Sequence, residues 1–388
     1  MPESVPRSVP LTTVVRQWGR IGAIGFGGPP AHVALFRKLC VDEQRWLTAH
    51  EFEDGIAATN LLPGPSSTQL AIYCAWRLRG RLGAVVGGIC FILPGLVLIL
   101  ALSALFLSAH PPQWVLGAAA GAGAAVPAVA LNAALGLVPA SWQRAGTGRA
   151  VRLRWVAYFL VGGVSAATVG AFLVLVLIGC GALEIAIRTR ATGRPGRGVS
   201  TLFPATALPV VTGGVAALCW VALKVGALSY GGGFVIVPLM QHDAVVTYHW
   251  MTGAQFLNAV ALGQITPGPV VQTVAVVGYA AGGLWTGVVA AAVAFAPSFV
   301  FVIAGARHFD RLRADPRIQA FFVGAGSAVI GAIAGSAIPL GLELTHLWQL
   351  GVLALAAVWL LALRRGVVVA LVAAGLIGVV AVLVGAPA

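Results

Sequence analysis

The sequence predicts an all-α polytopic membrane protein built as two inverted-topology repeats with discontinuous, proline-broken helices. Three observations lead there. Mean hydropathy is +0.94, 59% of the 388 residues are hydrophobic and 9% are charged, and apolar runs such as 84–109 and 321–339 are long enough to cross a bilayer. The interruption Pro63-Gly64-Pro65 returns as Pro267-Gly268-Pro269 in a second copy of the chain, at one constant shift and without a gap. The arginines of the connecting loops alternate along each copy and are out of phase between the two.

The same shift places Gly27-Gly28 on Gly231-Gly232, Phe26 on Tyr230, Trp46 on Trp250, Thr48 on Thr252, Phe52 on Phe256, Gly83 on Gly287 and Phe91 on Phe295. A lone proline in an apolar helix is ordinarily just a kink, which membrane helices tolerate. Breaks at matched places in two halves point instead to a binding site. The division expected is a first repeat over 1–187, a basic cytoplasmic linker over 188–203 and a second, inverted repeat over 204–388.

Taken in order, residues 11–28 form a modestly apolar helix that Gly27-Gly28-Pro29-Pro30 must stop. Residues 31–48 are amphipathic, carrying Arg37, Lys38, Asp42, Glu43 and Arg45, as an interfacial helix would. Residues 47–62 and 66–76 are two limbs around the first break, each too short to span, so together they make a broken or re-entrant element. Spans follow over 84–109 and 114–138, then two more within 155–187 with a turn near 165–170, because a single helix of that length would overshoot a roughly 30 Å core. The second half repeats the order: 208–230, the broken pair around Pro267-Gly268-Pro269, then 284–307, 318–339, 347–363 and 367–383.

Loop charge sets orientation. Arg77, Arg79 and Arg81 precede the first clean span, whereas the matching loop at 280–284 has no Lys or Arg. The next loop, 109–113, has none, against Arg307, Arg311, Arg313 and Arg317 in its counterpart. Arg144, Arg149, Arg152 and Arg154 face an uncharged-by-Lys/Arg 341–346, and the neutral turn near Gly170 faces Arg364 and Arg365. By the positive-inside rule the halves are inserted upside down to one another. Arg7 and the 188–197 stretch both look cytoplasmic although each begins a half of opposite orientation. Either the N-terminus lies outside, or the second half holds an additional crossing near 206–224; the longer apolar run there favours the crossing, and an odd total. The net charge of +13 sits in these loops and does not imply nucleic acid. Cys40, Cys74, Cys90, Cys180 and Cys219 lack paired spacing and read as small buried hydrophobes rather than metal ligands. The first ten residues do not resemble a cleaved signal peptide.

The breaks carry the chemistry. Proline removes a backbone donor and forbids the preceding turn, so Asn60, Pro63, Gly64 and Pro65 must leave a helix end and a helix start facing a gap. N–H groups and a positive dipole end then point into that gap, with Ser66, Ser67, Thr68 and Gln69 as further donors. Gln264, Pro267, Gly268, Pro269, Gln272 and Thr273 repeat the device. The competing reading of these side chains is helix capping and interhelical hydrogen bonding.

Phe26-Gly27-Gly28-Pro29, Trp46-Leu47, Asn60-Leu61-Leu62-Pro63-Gly64-Pro65, Tyr230-Gly231-Gly232-Gly233 and Pro267-Gly268-Pro269 together resemble the chromate ion transporters, and the two-copy length resembles the long-chain, two-domain members. The resemblance covers nearly the whole chain. It implies a multi-pass inner-membrane protein that exports chromate and confers chromate resistance, with sulfate as a related ligand, an uneven number of spans and antiparallel halves. Gly233 in place of Pro29, and Val270-Val271 in place of Ser66-Ser67, make the two copies unequal. The partners are then chromate, sulfate as the alternative, and the lipid bilayer, with a homodimer left open; no cofactor, metal or nucleic acid is called for.

A tetrahedral dianion needs oriented donors and positive charge. Lys224 lies well inside an apolar run and matches Arg20 under the shift. An ionisable residue there is a functional candidate, against snorkelling as the alternative. The expectation is that Lys224 neutralises part of the anion's charge and Arg20 does so from the other half. Glu43 and Asp54 are candidates for charge or proton coupling, Asp54 being the deepest, with a salt bridge from Asp54 to Arg37 or Arg45 as the competing reading; Glu43, Glu51, Glu53 and Asp54 have neutral counterparts in the second copy. A dianion leaving a negative cell gains roughly 4.6 kcal/mol per 100 mV, so export needs no further ion, whereas uptake of sulfate or another oxyanion would need a cation. No nucleotide-binding glycine motif is present and no histidine pair has metal-ligand spacing on a helix, so the chain reads as a secondary transporter and not an enzyme.

Overall fold

Backbone polar groups facing lipid can only be satisfied within their own segment or by packing against protein, which favours helices. The computed structural model describes residues 9–60, 62–168, 173–191, 213–229, 236–305 and 315–387, and among them every regular element is helical. Gly231 and Gly232, most of the linker, the start of the additional crossing and the end of the 165–170 turn lie outside the described residues.

In the first half, α1 (Leu11–Ile24) ends at Gly25, and α2 (Gly28–Arg37) starts from Gly27 at φ 99°, then widens into a π-turn over Lys38–Glu43. The expected single helix over 31–48 is therefore shorter, because the π-turn and Arg45 at φ 51° reverse the chain before Thr48. α3 (Ala49–Thr59) begins with a capping box between Thr48 and Glu51. α4 (Ser66–Phe106) follows the first break, then α5 (Gln113–Ala145), α6 (Arg149–Thr168) and α7 (Leu173–Ala191). The limb 66–76 and the span 84–109 are separate helical pieces, as expected: the stretch labelled α4 parts into two where Arg79 (φ −140°) and Gly80 (φ 59°) leave helical geometry. α5 continues to Ala145, past the predicted end at 138, since Pro127 and Pro139 are accommodated inside it.

The second half contains α8 (Gly214–Leu228), α9 (Ile236–Gln241) with a π-turn over His242–Thr247, α10 (Gly253–Ile265), α11 (Thr273–Gly282), α12 (Leu284–Gly305), α13 (Pro316–Leu342), α14 (Leu347–Ala357) and α15 (Val367–Leu383). Local devices recur at matched positions. The two π-turns coincide under the shift, Arg45 and His249 both sit at φ 51°, and Thr252–Gln255 repeats the capping box. Gly283, at φ 87°, separates α11 from α12 where Arg79 kinks α4.

The halves are interlocked. α5 packs along α10, α14 and α15 of the second half, while α13 packs along α5, α6 and α7 of the first. Small residues let the backbones touch, as membrane packing without a hydrophobic driving force requires. A Cβ on Gly331 of α13 would strike the Phe159 carbonyl of α6. Outward faces carry exposed Val97, Leu160, Val164, Leu376 and Val380, as a lipid-facing surface should. By length and composition, α4, α5, α6, α12 and α13 can each cross a bilayer, and α8, α14 and α15 are shorter apolar helices.

Candidate functional site

α3 has 11 residues and α10 has 13, about 17 and 20 Å of helix, so neither limb spans and both stop inside the protein. At the first stop α3 ends at Thr59, residues 62–65 are non-helical, and the helix resumes at Ser66. At the second, α10 ends at Ile265 and a single 3₁₀ turn over Val270–Gln272 restarts the helix. Gly64 (φ 123°) and Gly268 (φ 97°) hold left-handed conformations between their prolines, where an L side chain would be strained.

The two breaks meet the opposite half. The Gly268 N–H donates to the Gly25 carbonyl at 3.0 Å, and His32 Nε2 donates to the same oxygen at 2.9 Å. The orphan carbonyl at the end of α1 thus joins break two to the Gly27-Gly28 turn. Gly95 of α4 lies against the Pro267 carbonyl, so closely that a Cβ there would collide with it. A Cβ on Gly64 would stand 3.2 Å from Ser298 Oγ on α12. Ser298 corresponds to Pro94 under the shift, so each break rests on the following long helix of the other half at nearly the same place.

A cavity of about 840 Å³ opens beside break one. Of the residues singled out from the sequence, Gly27, Gly28, Asn60, Gly64, Ser66 and Gln264 line it, so both copies contribute. Thr59 and, from α5, Asn132, Gln143 and Arg144 complete its polar lining, and Val329 and Val368 are among its apolar walls. Arg144 is the only formally charged residue among the described lining residues. Sequence reasoning had it as a loop charge alone; its position at the last turn of α5, a helix end that faces the break, was the missing information.

Pro63, Pro65, Ser67, Thr68, Gln69, Pro267, Gly268, Pro269, Gln272 and Thr273 do not line the cavity. Several act as caps: Gln69 Nε2 donates to the Pro63 carbonyl at 2.7 Å, Gln272 Nε2 to the Ile92 carbonyl at 2.8 Å, and Thr273 Oγ1 to the Val270 carbonyl at 2.8 Å. The breaks nevertheless leave buried polar atoms without a protein partner, namely Thr68 Oγ1, Gln69 Oε1, Gln264 Nε2, Gln272 Oε1 and Ser298 Oγ. Each such atom costs about 1–3 kcal/mol unless water or a ligand meets it.

The charged candidates separate from the cavity. Lys224 Nζ donates to Asp243 Oδ2 at 2.5 Å, the two side chains being 11% and 7% exposed, and neither lines the cavity. Lys224 is thus held in a buried ion pair, the counter-charge that a desolvated ammonium needs. Asp243 was missed because it falls opposite the neutral Leu39 under the shift. Arg20 is exposed on α1 and away from the lining. Glu43 pairs with Lys38 at 3.7 Å and Asp54 with His50 at 2.9 Å, while Arg37 takes Glu53 at 3.6 Å. Glu51 receives Arg77 across break one, tying α3 to α4. Burial pushes its carboxyl up, but the Thr48 backbone N–H and the Arg77 guanidinium outweigh that and hold it below the usual range. Among the described residues no three His, Cys, Asp or Glu side chains are arranged to hold a metal ion.

Duplicated, proline-interrupted helices meeting at a cavity inside a helical membrane protein define a transporter architecture. The chain belongs to the chromate transporter family: the family model described as Chromate transporter matches residues 12–185 and again 216–379. It is 34% identical over 338 residues to the chromate transport protein of Cupriavidus metallidurans, covering 85% of this chain and 82% of that one. The probable chromate transport protein of Synechococcus elongatus is 29% identical over 95% of both chains. The chromate transport protein of Pseudomonas aeruginosa is 32% identical over 87% of this chain and 83% of its own. No solved structure matches the chain.

Proposed function

We propose that the chain is a secondary transporter that carries chromate out of the cell across the inner membrane and so confers resistance. The observation that carries this reading is the cavity shared by break one, Gln264 and Arg144, into whose lining Gln264 brings a buried Nε2 without a protein partner. The dianion enters from the cytoplasm at Arg144, in the last turn of α5 beside the basic start of α6. It then meets Asn60, Ser66 and the unpaired first-turn N–H groups of α4 at the positive end of that helix. Gln264 reaches it from the second copy. Support for the substrate comes from the relatives named for chromate. Outward movement of a dianion gains roughly 4.6 kcal/mol per 100 mV of inside-negative potential.

The same reading takes the chain as repeats over 1–187 and 204–388 of opposite insertion, joined by the 188–203 linker. Its support is the out-of-phase loop arginines, the two stretches matched by the family model and the reciprocal packing of α5 and α13. Sulfate has the same shape and charge and is the alternative cargo.

The test is anion flux through the reconstituted protein at set voltage and pH, with chromate, sulfate and phosphate in competition. Arg144→Gln should weaken chromate affinity on the cytoplasmic face by about tenfold, the low end for a hydrogen bond to a charged group because Arg144 is exposed. A wild-type protein that moves none of the three anions would refute the proposal.

A further inference from the structure

A second cavity, of about 520 Å³, lies between the 106–111 segment, the start of α10 and the loop after α13. Its lining includes Ser108, Thr252, Asn258, Thr345 and Gln349, and Glu343 is the only formally charged residue among the described ones. Its rim is formed by the 109–113 and 341–346 loops, which carry no Lys or Arg, whereas the larger cavity opens between Arg144 and the stretch following Arg364-Arg365. By the positive-inside rule the two cavities open on opposite faces of the membrane.

They are also nearly continuous. Asn258 lines the smaller cavity and Gln264 the larger, on the same helix α10, about 9 Å apart along its axis. On α5, Ala124 and Asn132 stand in the same relation about 12 Å apart. The buried side chains in between include the small or slender Ala259, Val260 and Ala261 on α10, and Val126, Ala128 and Val129 on α5, with Leu262 and Leu131 half-buried beside them. The larger cavity takes the second half of α5 with Val329 and Ile330 of α13, while the smaller takes the residues just after α13 with the first third of α5.

We infer that the smaller cavity is the outward release vestibule of the transport path and that Glu343 keeps its affinity for anions low. This rests on the transporter reading above. The Glu343 carboxylate lies over Gly253 in the first turn of α10, in the space a Cβ at that position would need, so the glycine makes room for it. It occupies a helix start that would otherwise attract an anion, as α4 does in the inner cavity. A dianion crossing from Arg144 therefore moves from a mouth with a positive side chain to one with a negative side chain. Release is favoured and re-entry from outside is opposed.

The experiment uses the full chain in proteoliposomes at low salt, with chromate offered to one face at a time. In wild type the half-saturating concentration should be higher at the outer face. Glu343→Gln should lower the outer-face value by roughly five- to tenfold, the effect of one charge on a dianion about 7 Å away in water-like surroundings, and leave the inner-face value where it was. Glu343→Asp should keep the wild-type asymmetry. An outer-face value unmoved by Glu343→Gln, or equal shifts at both faces, overturns the inference while leaving transport itself intact. Sidedness is tested independently of flux. Above the wild-type background, a membrane-impermeant maleimide should label Asn258→Cys from outside only and Gly136→Cys, in the α5 lining of the larger cavity, from the cytoplasmic side only. The reverse pattern, or labelling of both from one side, also overturns it.

Discussion

Removing either partner of the Lys224–Asp243 pair should destabilise the protein far more than removing both. At 2.5 Å and an effective dielectric of about 20, the attraction is about 6–7 kcal/mol. Taking both charges out of water costs several kcal/mol each, so the intact pair contributes little net stability. Lys224→Gln alone leaves a carboxylate that is 7% exposed without its counter-charge, at a cost of about 3–5 kcal/mol. That is a large share of a typical folding free energy of about 5–15 kcal/mol. Asp243→Asn strands the ammonium in the same way, with the Trp220 ring, 5.9 Å from Nζ, as weak compensation. The double variant Lys224→Gln/Asp243→Asn keeps the volume and removes both charges, so it should recover most of the loss. The assay is inactivation half-life in detergent at fixed temperature, with membrane abundance measured in parallel, arranged as a double-mutant cycle. Flux through the recovered double variant should approach wild type if Lys224 serves pairing alone. Single variants as stable as wild type, or a double variant no better than either single, would refute the buried-pair reasoning.

Other consequences are local. Gly95→Ala should drive a methyl group into the Pro267 carbonyl, costing about 1–3 kcal/mol and depressing chromate flux more than abundance, because break two must shift; normal flux would contradict that contact. The Glu51–Arg77 clasp should carry a pH signature. Its carboxyl titrates lower in the folded than in the unfolded protein, so its contribution is present above the unfolded value and disappears as pH falls through the folded one. Wild type should therefore outlast Glu51→Gln near neutrality and lose that advantage in acid; a gap that widens in acid would count against the clasp.

Much of this architecture is local in origin and so readable in one dimension. Pro63-Gly64-Pro65 and Pro267-Gly268-Pro269 interrupt helices through backbone sterics alone, and the Thr48 and Thr252 caps act within four residues. The apolar lengths dictate helices in lipid, and the paired motifs are enough to place the chain among the chromate transporters. The break between the limb 66–76 and the span 84–109 was legible too, since Gly80 takes the left-handed φ of 59° that ends the first helical piece.

Partnership, by contrast, was decided in three dimensions. Whether a polar side chain faces a cavity or caps a neighbour depends on which helix lies opposite, and that is why Ser66 lines the larger cavity while Gln69 turns to Pro63. Arg144 joins break one only because α5 runs on past Pro139, and Asp243 answers Lys224 only because the π-turn after α9 folds back on α8. Glu343 meets Gly253 only because the residues after α13 pass over the start of α10. Charge and hydrogen bonding act over a few ångströms of space, whatever the distance along the chain, so the sequence determined where the helices break and the tertiary packing determined what each break faces.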